Sequence, residues 1–227
     1  CVTMLMILSV FFTSLVKSLK PTKNINRDSM IKNIGDGLNY IYQTRLLRFV
    51  IIHMIVLALL SMPFRMLVQV FAKDVYGSDP SSVGILLAAA GLGGLFGSIF
   101  IAGLSKESNR GLVFLLSGIF SALAMIIASL FPFYFIGVIS LILVGLGESG
   151  RWALGQALMM EISEDEYKAR VMSVIMMSFG LMPLGMLPMG WAIESFGSEF
   201  AVGIFGIVLM IFTLSYLLFA RSIKNYK

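Results

Sequence analysis

The chain has 227 residues, of which 58% are hydrophobic and only 13% charged, with 17 Lys and Arg against 12 Asp and Glu. That charged fraction is about half that of an ordinary soluble domain, whose surface must be largely polar, so a water-soluble globule is excluded. A single cysteine excludes a disulfide framework and a cysteine metal cluster, and the formal +5 is gathered into a few short connections, which argues against a nucleic-acid-binding face.

Residues 1–16 hold an apolar run from Val2 to Val16. It is shorter than the roughly 20 residues needed to cross the hydrocarbon, and no basic segment precedes it as in a signal peptide. It is expected to be the end of a transmembrane helix whose first part lies upstream. Residues 17–48 form a linker that is polar up to Pro21 and then places Met30, Ile31, Ile34, Leu38 and Ile41 at spacings of three and four. Lys32, Asp36, Asn39 and Gln43 fall on the other faces, a pattern that predicts an amphipathic helix on the inner membrane surface.

Six longer apolar runs follow, at about 49–71, 83–104, 112–131, 134–158, 169–193 and 200–220, with a short tail at 222–227. They lack the alternation of barrel strands, and backbone in lipid must satisfy its own hydrogen bonds, so all six are expected to be helices. All but three of the 17 basic residues lie in four segments: 17–48, Lys106 with Arg110, Lys168 with Arg170, and Arg221 to Lys227. Every second connection carries them. Positive charge resists translocation, so these segments and the C-terminus are expected in the cytoplasm of a multi-pass inner (plasma) membrane protein.

The six spans divide into two triplets of opposite direction, and their members match in kind. The first of each carries charge, Arg65 in one and Glu148 with Arg151 in the other. The second of each is rich in Gly or Pro, including Gly93 and Gly97 in one and Pro183, Gly185 and Pro188 in the other. The third members are plainly apolar. Inverted three-plus-three repeats with interrupted helices in matching places are an architecture of secondary transporters.

Three stretches also carry a family resemblance: DGLNYIYQTRLLRFVI, FAKDVYGSDPSSVGILLAAAGLGGLFG, and DEYKARVMSV before the Gly/Pro-rich helix. The chain resembles, over essentially its whole length, the C-terminal half of a major facilitator superfamily transporter. Within that superfamily it looks most like the bacterial efflux proteins grouped with macrolide and enterobactin exporters. The resemblance implies an all-α, six-helix half (49–221) facing a missing N-terminal half, with the Gly/Pro-rich helices packed against it. It also implies a cytoplasmic gate from Glu107, Arg110, Glu161 and Arg170. In GLSKESNRG the acid, Glu107, is displaced from the family's usual gating pattern.

Charge at a helix centre costs about 2.5–3.5 kcal/mol on insertion scales, so Arg65, Glu148 and Arg151 should face partners or water. At 1.5 Å per residue, Arg65 stands about 25 Å from the inner end of its span, Glu148 about 20 Å and Arg151 about 15 Å. Arg65 and Glu148 can therefore pair between helices, and Glu148 and Arg151, three apart, can instead pair along one face. The expected role is a cavity lining for substrate and proton, to which Gln156 is added; the alternative is an ion pair that only locks helices. His53, Ser61, Arg65 and Gln69 drift slowly around one face of the first span. His53, with a reference pKa of about 6.5, suits a proton carrier, but a packed or interfacial histidine is the commoner outcome.

Gly93 and Gly97 form a GxxxG pair, extended backward by Ala89, expected to admit a close helix. Pro183 and Pro188 leave carbonyls unpaired and are expected to bend their helix. The 16 methionines suit either an adaptable drug pocket or ordinary membrane packing. Gly145 to Gly150 spells GxGxxG, but inside an apolar span rather than a strand–turn–helix unit, so it is not read as a nucleotide fingerprint. No P-loop, HExxH or Cys/His spacing is present, and no cofactor or metal is expected. The sequence points to a non-enzymatic transporter with membrane lipid around it, and the family resemblance implies export of amphipathic small molecules in exchange for protons. The rivals are an importer on the same fold and a membrane protein or enzyme that transports nothing.

Overall fold

A computed structural model describes residues 30–77, 80–104 and 108–219. Among these residues every regular element is helical, and six helical stretches are long and apolar enough to cross a membrane. The expected helix end at 1–16, the first part of the linker, Glu107 and the tail lie outside the described residues.

Helix α1 (Met30–Gln43) precedes the first span, which is built from α2 (Arg45–Met66) and α3 (Val68–Tyr76). The second span is α4 (Pro80–Ala102) and the third α5 (Arg110–Leu130). The fourth runs through α6 (Tyr134–Ser149), a π-helical turn at Gly150–Leu154 and α7 (Gly155–Ile162). The fifth is α8 (Lys168–Ser178), a 3-10 turn at Phe179–Leu181 and α9 (Met182–Phe196); the sixth is α10 (Ser198–Phe219).

Local chemistry sets the boundaries. Gly77 ends α3 in the left-handed region at φ 58°, where its N–H donates back to the Lys73 carbonyl at 3.2 Å. The Asn109 side chain caps α5 by accepting from the Leu112 N–H at 3.2 Å. Pro132 holds Phe131 extended and separates α5 from α6. Gly197, at φ 90°, alone links α9 to α10.

Five of the span contacts recur when the two triplets are exchanged, although the fifth span also lies on the sixth without a matching contact of the second on the third. The second lies on the fourth as the fifth lies on the first; the third lies on the fourth as the sixth lies on the first; third and sixth lie on each other. Two glycine contacts make the correspondence specific. A Cβ on Gly93 would collide with the Ile142 carbonyl oxygen, and a Cβ on Gly185 with the Leu59 carbonyl oxygen. Pro63 cannot donate to that Leu59 oxygen, so Gly185 approaches a carbonyl released from its own helix.

Interruptions divide both charged spans and the fifth. The first breaks at Leu67, the fourth widens to π geometry at 150–154, and the fifth tightens at 179–181. Pro183 therefore sits in the first turn of a new helix, where no N–H is needed, and only Pro188 lies within one.

The glycines of the second and fifth spans serve two surfaces. Gly93, Gly97 and Gly185 meet helices of this same bundle, whereas a Cβ on Gly84, Gly91, Gly180 or Gly190 would enter open space. The expected packing toward another half thus has only the open set available to it. The remaining outward surface is Leu, Ile and Phe, such as Leu95, Phe100, Leu187 and Leu218, as lipid requires.

Helix α1 forms where the periodicity predicts it. It leans on α8, with Gly37 against the Arg170 backbone, Ile41 buried, and Tyr40 stacked on Tyr167 at 4.2 Å. The Tyr40 hydroxyl also accepts the Glu164 N–H at 3.1 Å. Leu38, expected on the apolar stripe, is exposed; the tyrosine, polar at its tip, makes the contact instead.

Candidate functional site

The fourth span carries the site because its small residues let three neighbours approach. Gly145 abuts the Ala90 carbonyl of the second span, and Gly147 and Gly150 abut Ser121 and Ser117 of the third. Gly155 abuts Met54 of the first. The GxGxxG string is thus a packing device, and the one long side chain within it besides Leu146 is Glu148.

Glu148 is buried, and its Oε2 pairs with Nη1 of Arg65 from the first span. The arginine side chain is 42% exposed and the glutamate side chain 9%, so one partner reaches water and the other is enclosed. Glu148 Oε1 has no hydrogen-bond partner among the described residues. Arg65 lies six residues after Leu59, and Glu148 six after Ile142, the two carbonyls that face equivalent glycines. The ion pair therefore joins residues placed alike in the two triplets, each six residues after its glycine-facing carbonyl.

Arg151 does not pair with Glu148. It stands at the start of the wide turn at Gly150–Leu154, within electrostatic reach of Glu148 but in no ion pair with it, and is only 3% exposed. Its guanidinium lies over the Trp152 ring at 5.1 Å, and Nη2 is buried without a hydrogen-bond partner. Beside it opens a cleft between the first, fourth and fifth spans, with Met54, Met62, Ile175, Phe179 and Met182 on its walls. Trp152 stacks on Phe179 across it at 5.2 Å.

The other expected cavity residues are dispersed. Ser61 is buried with its hydroxyl unpartnered, and Gln156 is half-buried on α7. His53 is fully buried on another side of the first span, among Phe114, Phe212 and Tyr216 at 4.9 to 6.0 Å. Neither of its ring nitrogens makes a well-formed hydrogen bond among the described residues.

At the basic end of the bundle, Arg110 donates to Glu161 at 2.7 Å, joining the third span to the fourth. Arg170 stands apart, over Tyr167 at 5.3 Å and within 4.0 Å of Glu166. Nearby, the Lys168 ammonium 2.5 Å from Asp165 holds that exposed carboxyl below its ordinary range. The four residues expected to gate the protein thus include one close pair, one residue in a different contact, and Glu107, which lies outside the described residues.

Sequence reasoning missed Trp152, Phe179 and the serines Ser117 and Ser121. A π turn has no reliable sequence signal, but Gly150 preceding Arg151-Trp152 in an apolar span was a cue that the helix there is crowded. Among the described residues there is no cluster of His, Cys, Asp or Glu able to hold a metal.

Neither the curated proteins nor the solved structures contain a match to the chain. The family model of the Major Facilitator Superfamily matches residues 49–226, the six spans and their charges together. With that match on a bundle whose described residues form six apolar helical spans, the chain is a multi-pass membrane protein with the fold of half a transporter, and it belongs to the Major Facilitator Superfamily.

Proposed function

We propose that this chain is the C-terminal half of a proton-coupled exporter of amphipathic small molecules, working in the plasma membrane with its basic connections in the cytoplasm. An N-terminal half would complete the cavity, against the open glycines of the second and fifth spans. Export as the direction is supported by the resemblance to the macrolide and enterobactin exporter group.

The observation that carries the coupling is the Arg65–Glu148 pair. A carboxylate beside a guanidinium keeps its charge, and a carboxylate left alone among apolar groups takes up a proton. A cycle that opens and closes the contact would load one proton and release it. Rocking about a midplane site supplies such a cycle, and the pair lies where the two triplets meet.

In the full-length protein, Glu148→Gln should abolish pH-driven efflux while insertion stays normal. Arg65→Ala should cost about 3 kcal/mol, the low end for stranding a buried charge because Arg65 is partly exposed. The double variant should recover part of that loss. Efflux and thermal unfolding of wild type, both singles and the double decide it: full efflux in Glu148→Gln removes the proton role.

A further inference from the structure

We infer that the groove between the second and third spans holds an acyl chain of a membrane phospholipid, in the leaflet at the basic end of the bundle. This requires only that the chain spans a membrane, whatever the direction or coupling of transport.

The groove comes from the contact that one triplet lacks. The fifth span packs on the sixth, whereas among the described residues the second and third both lie on the fourth and scarcely meet each other. A trough is left between them. Leu146 and Gly150 of the fourth span floor it, with Phe100 on one side and Val113 and Phe120 on the other. At its base the helices close down through glycine, since a Cβ on Gly97 would collide with Ser149 and one on Gly150 with Ser117. The trough has a volume of about 240 Å³, and an apolar cavity of roughly 150 Å³ already holds a benzene ring.

Its lining calls for an apolar occupant. The hydroxyl of Ser117, which borders the trough, donates to the Phe114 carbonyl at 2.6 Å. The Ser149 hydroxyl beneath Gly97 donates to the Leu146 carbonyl at 2.9 Å. Both polar groups are thus satisfied within their own helices, and neither needs water or a polar ligand. In lipid no hydrophobic effect drives apolar groups together, so an occupant is held by packing. An empty trough forfeits the dispersion contacts of the atoms that line it, and an alkyl chain lying along it restores them. The exposed rings of Phe100 and Phe120 flank such a chain.

Position selects a lipid over a protein segment. Val113 and Phe120 stand three and ten residues beyond Arg110, so the groove runs from about 5 to about 15 Å above the basic end. That is the depth of one leaflet's chains in a hydrocarbon core about 30 Å thick. Phe100 lies about 170° round the second span from Gly84 and Gly91, the open glycines against which an N-terminal half is proposed to dock. The groove therefore faces away from that half, toward hydrocarbon.

The test is photolabelling of the full-length protein in phosphatidylcholine nanodiscs that contain a tracer phosphatidylcholine with a mid-chain diazirine. Mass spectrometry maps the labelled residues. The reference is the exposed face of the sixth span at Ile211, Leu214 and Leu218, three to ten residues before Arg221 and so at the same depth. Wild type should label at 97–101, 113–120 and 146–150 about five- to tenfold more than at the reference, as about ten added carbon contacts allow. Val113→Trp fills the groove from a wall and Leu146→Trp from the floor, and each should lower its labelling to the reference level. Leu214→Trp should leave it unchanged. Equal labelling of groove and reference in wild type, or undiminished groove labelling in both groove variants, overturns the inference. Labelling weaker in the groove than at the reference also overturns it, in favour of a protein segment that covers the groove.

Discussion

His53 and Arg151 are buried nitrogen-bearing side chains of the first and fourth spans with different surroundings, and the arginine adjoins a cleft. His53 is surrounded by three aromatic rings, and its one polar contact is a poorly aligned one to the Phe114 backbone. A buried polar group without a partner is a cost, so His53→Leu should raise thermal stability by about 1 kcal/mol and leave pH-driven flux intact. Loss of flux with unchanged stability would instead make His53 the proton carrier. Sequence periodicity put His53, Ser61 and Arg65 on one drifting face, and drift is what separates them: over twelve residues the face turns by about a third of a circle, from the sixth span's aromatics to Glu148. The depths of Arg65 and Glu148 were legible because a straight helix has a fixed rise. The fate of Arg151 was not, since a π turn resets the angular count without altering composition.

Helices were legible in length, direction and general order, yet their partners were not. GxxxG announces that something approaches Gly93 and Gly97 but does not say what; the approaching helix is the fourth span of the same bundle, through Ile142, Leu146 and Ser149. The distinction between used and open glycines is measurable. In this 227-residue chain taken alone, Gly93→Val should cost about 1–3 kcal/mol by overpacking against an immovable carbonyl, whereas Gly91→Ala should be neutral or slightly stabilising because its Cβ enters open space and alanine favours the helix. Thermal unfolding of the two variants in one detergent compares them, and equal losses would refute the packing. The amphipathic linker was likewise legible as a helix, while its docking through Tyr40 and Tyr167 was hidden, because a tyrosine scores as polar in one count and apolar in another.

For the bundle as a whole, charge alternation was the strongest signal, since one missed span would have inverted every later connection. It predicts that cysteines at Ser78 and Ser108 label oppositely with an impermeant maleimide in intact cells, Ser78 reacting and Ser108 protected. The reverse result would turn the whole protein over. The division into matched triplets was legible from the kinds of residue each span carries. The register between triplets was not, because it rests on two glycine–carbonyl contacts that leave no mark on hydropathy.

That register bears on how the ion pair could arise. The pair joins residues placed alike in the two triplets, so two identical triplets would set arginine against arginine there, or glutamate against glutamate. Either would place like charges together out of water. Charge at this point is permissible only in a molecule whose two copies disagree, and Arg65 with Glu148 is that disagreement. The resemblance between the triplets supplies the meeting place, and the difference between them supplies the bond.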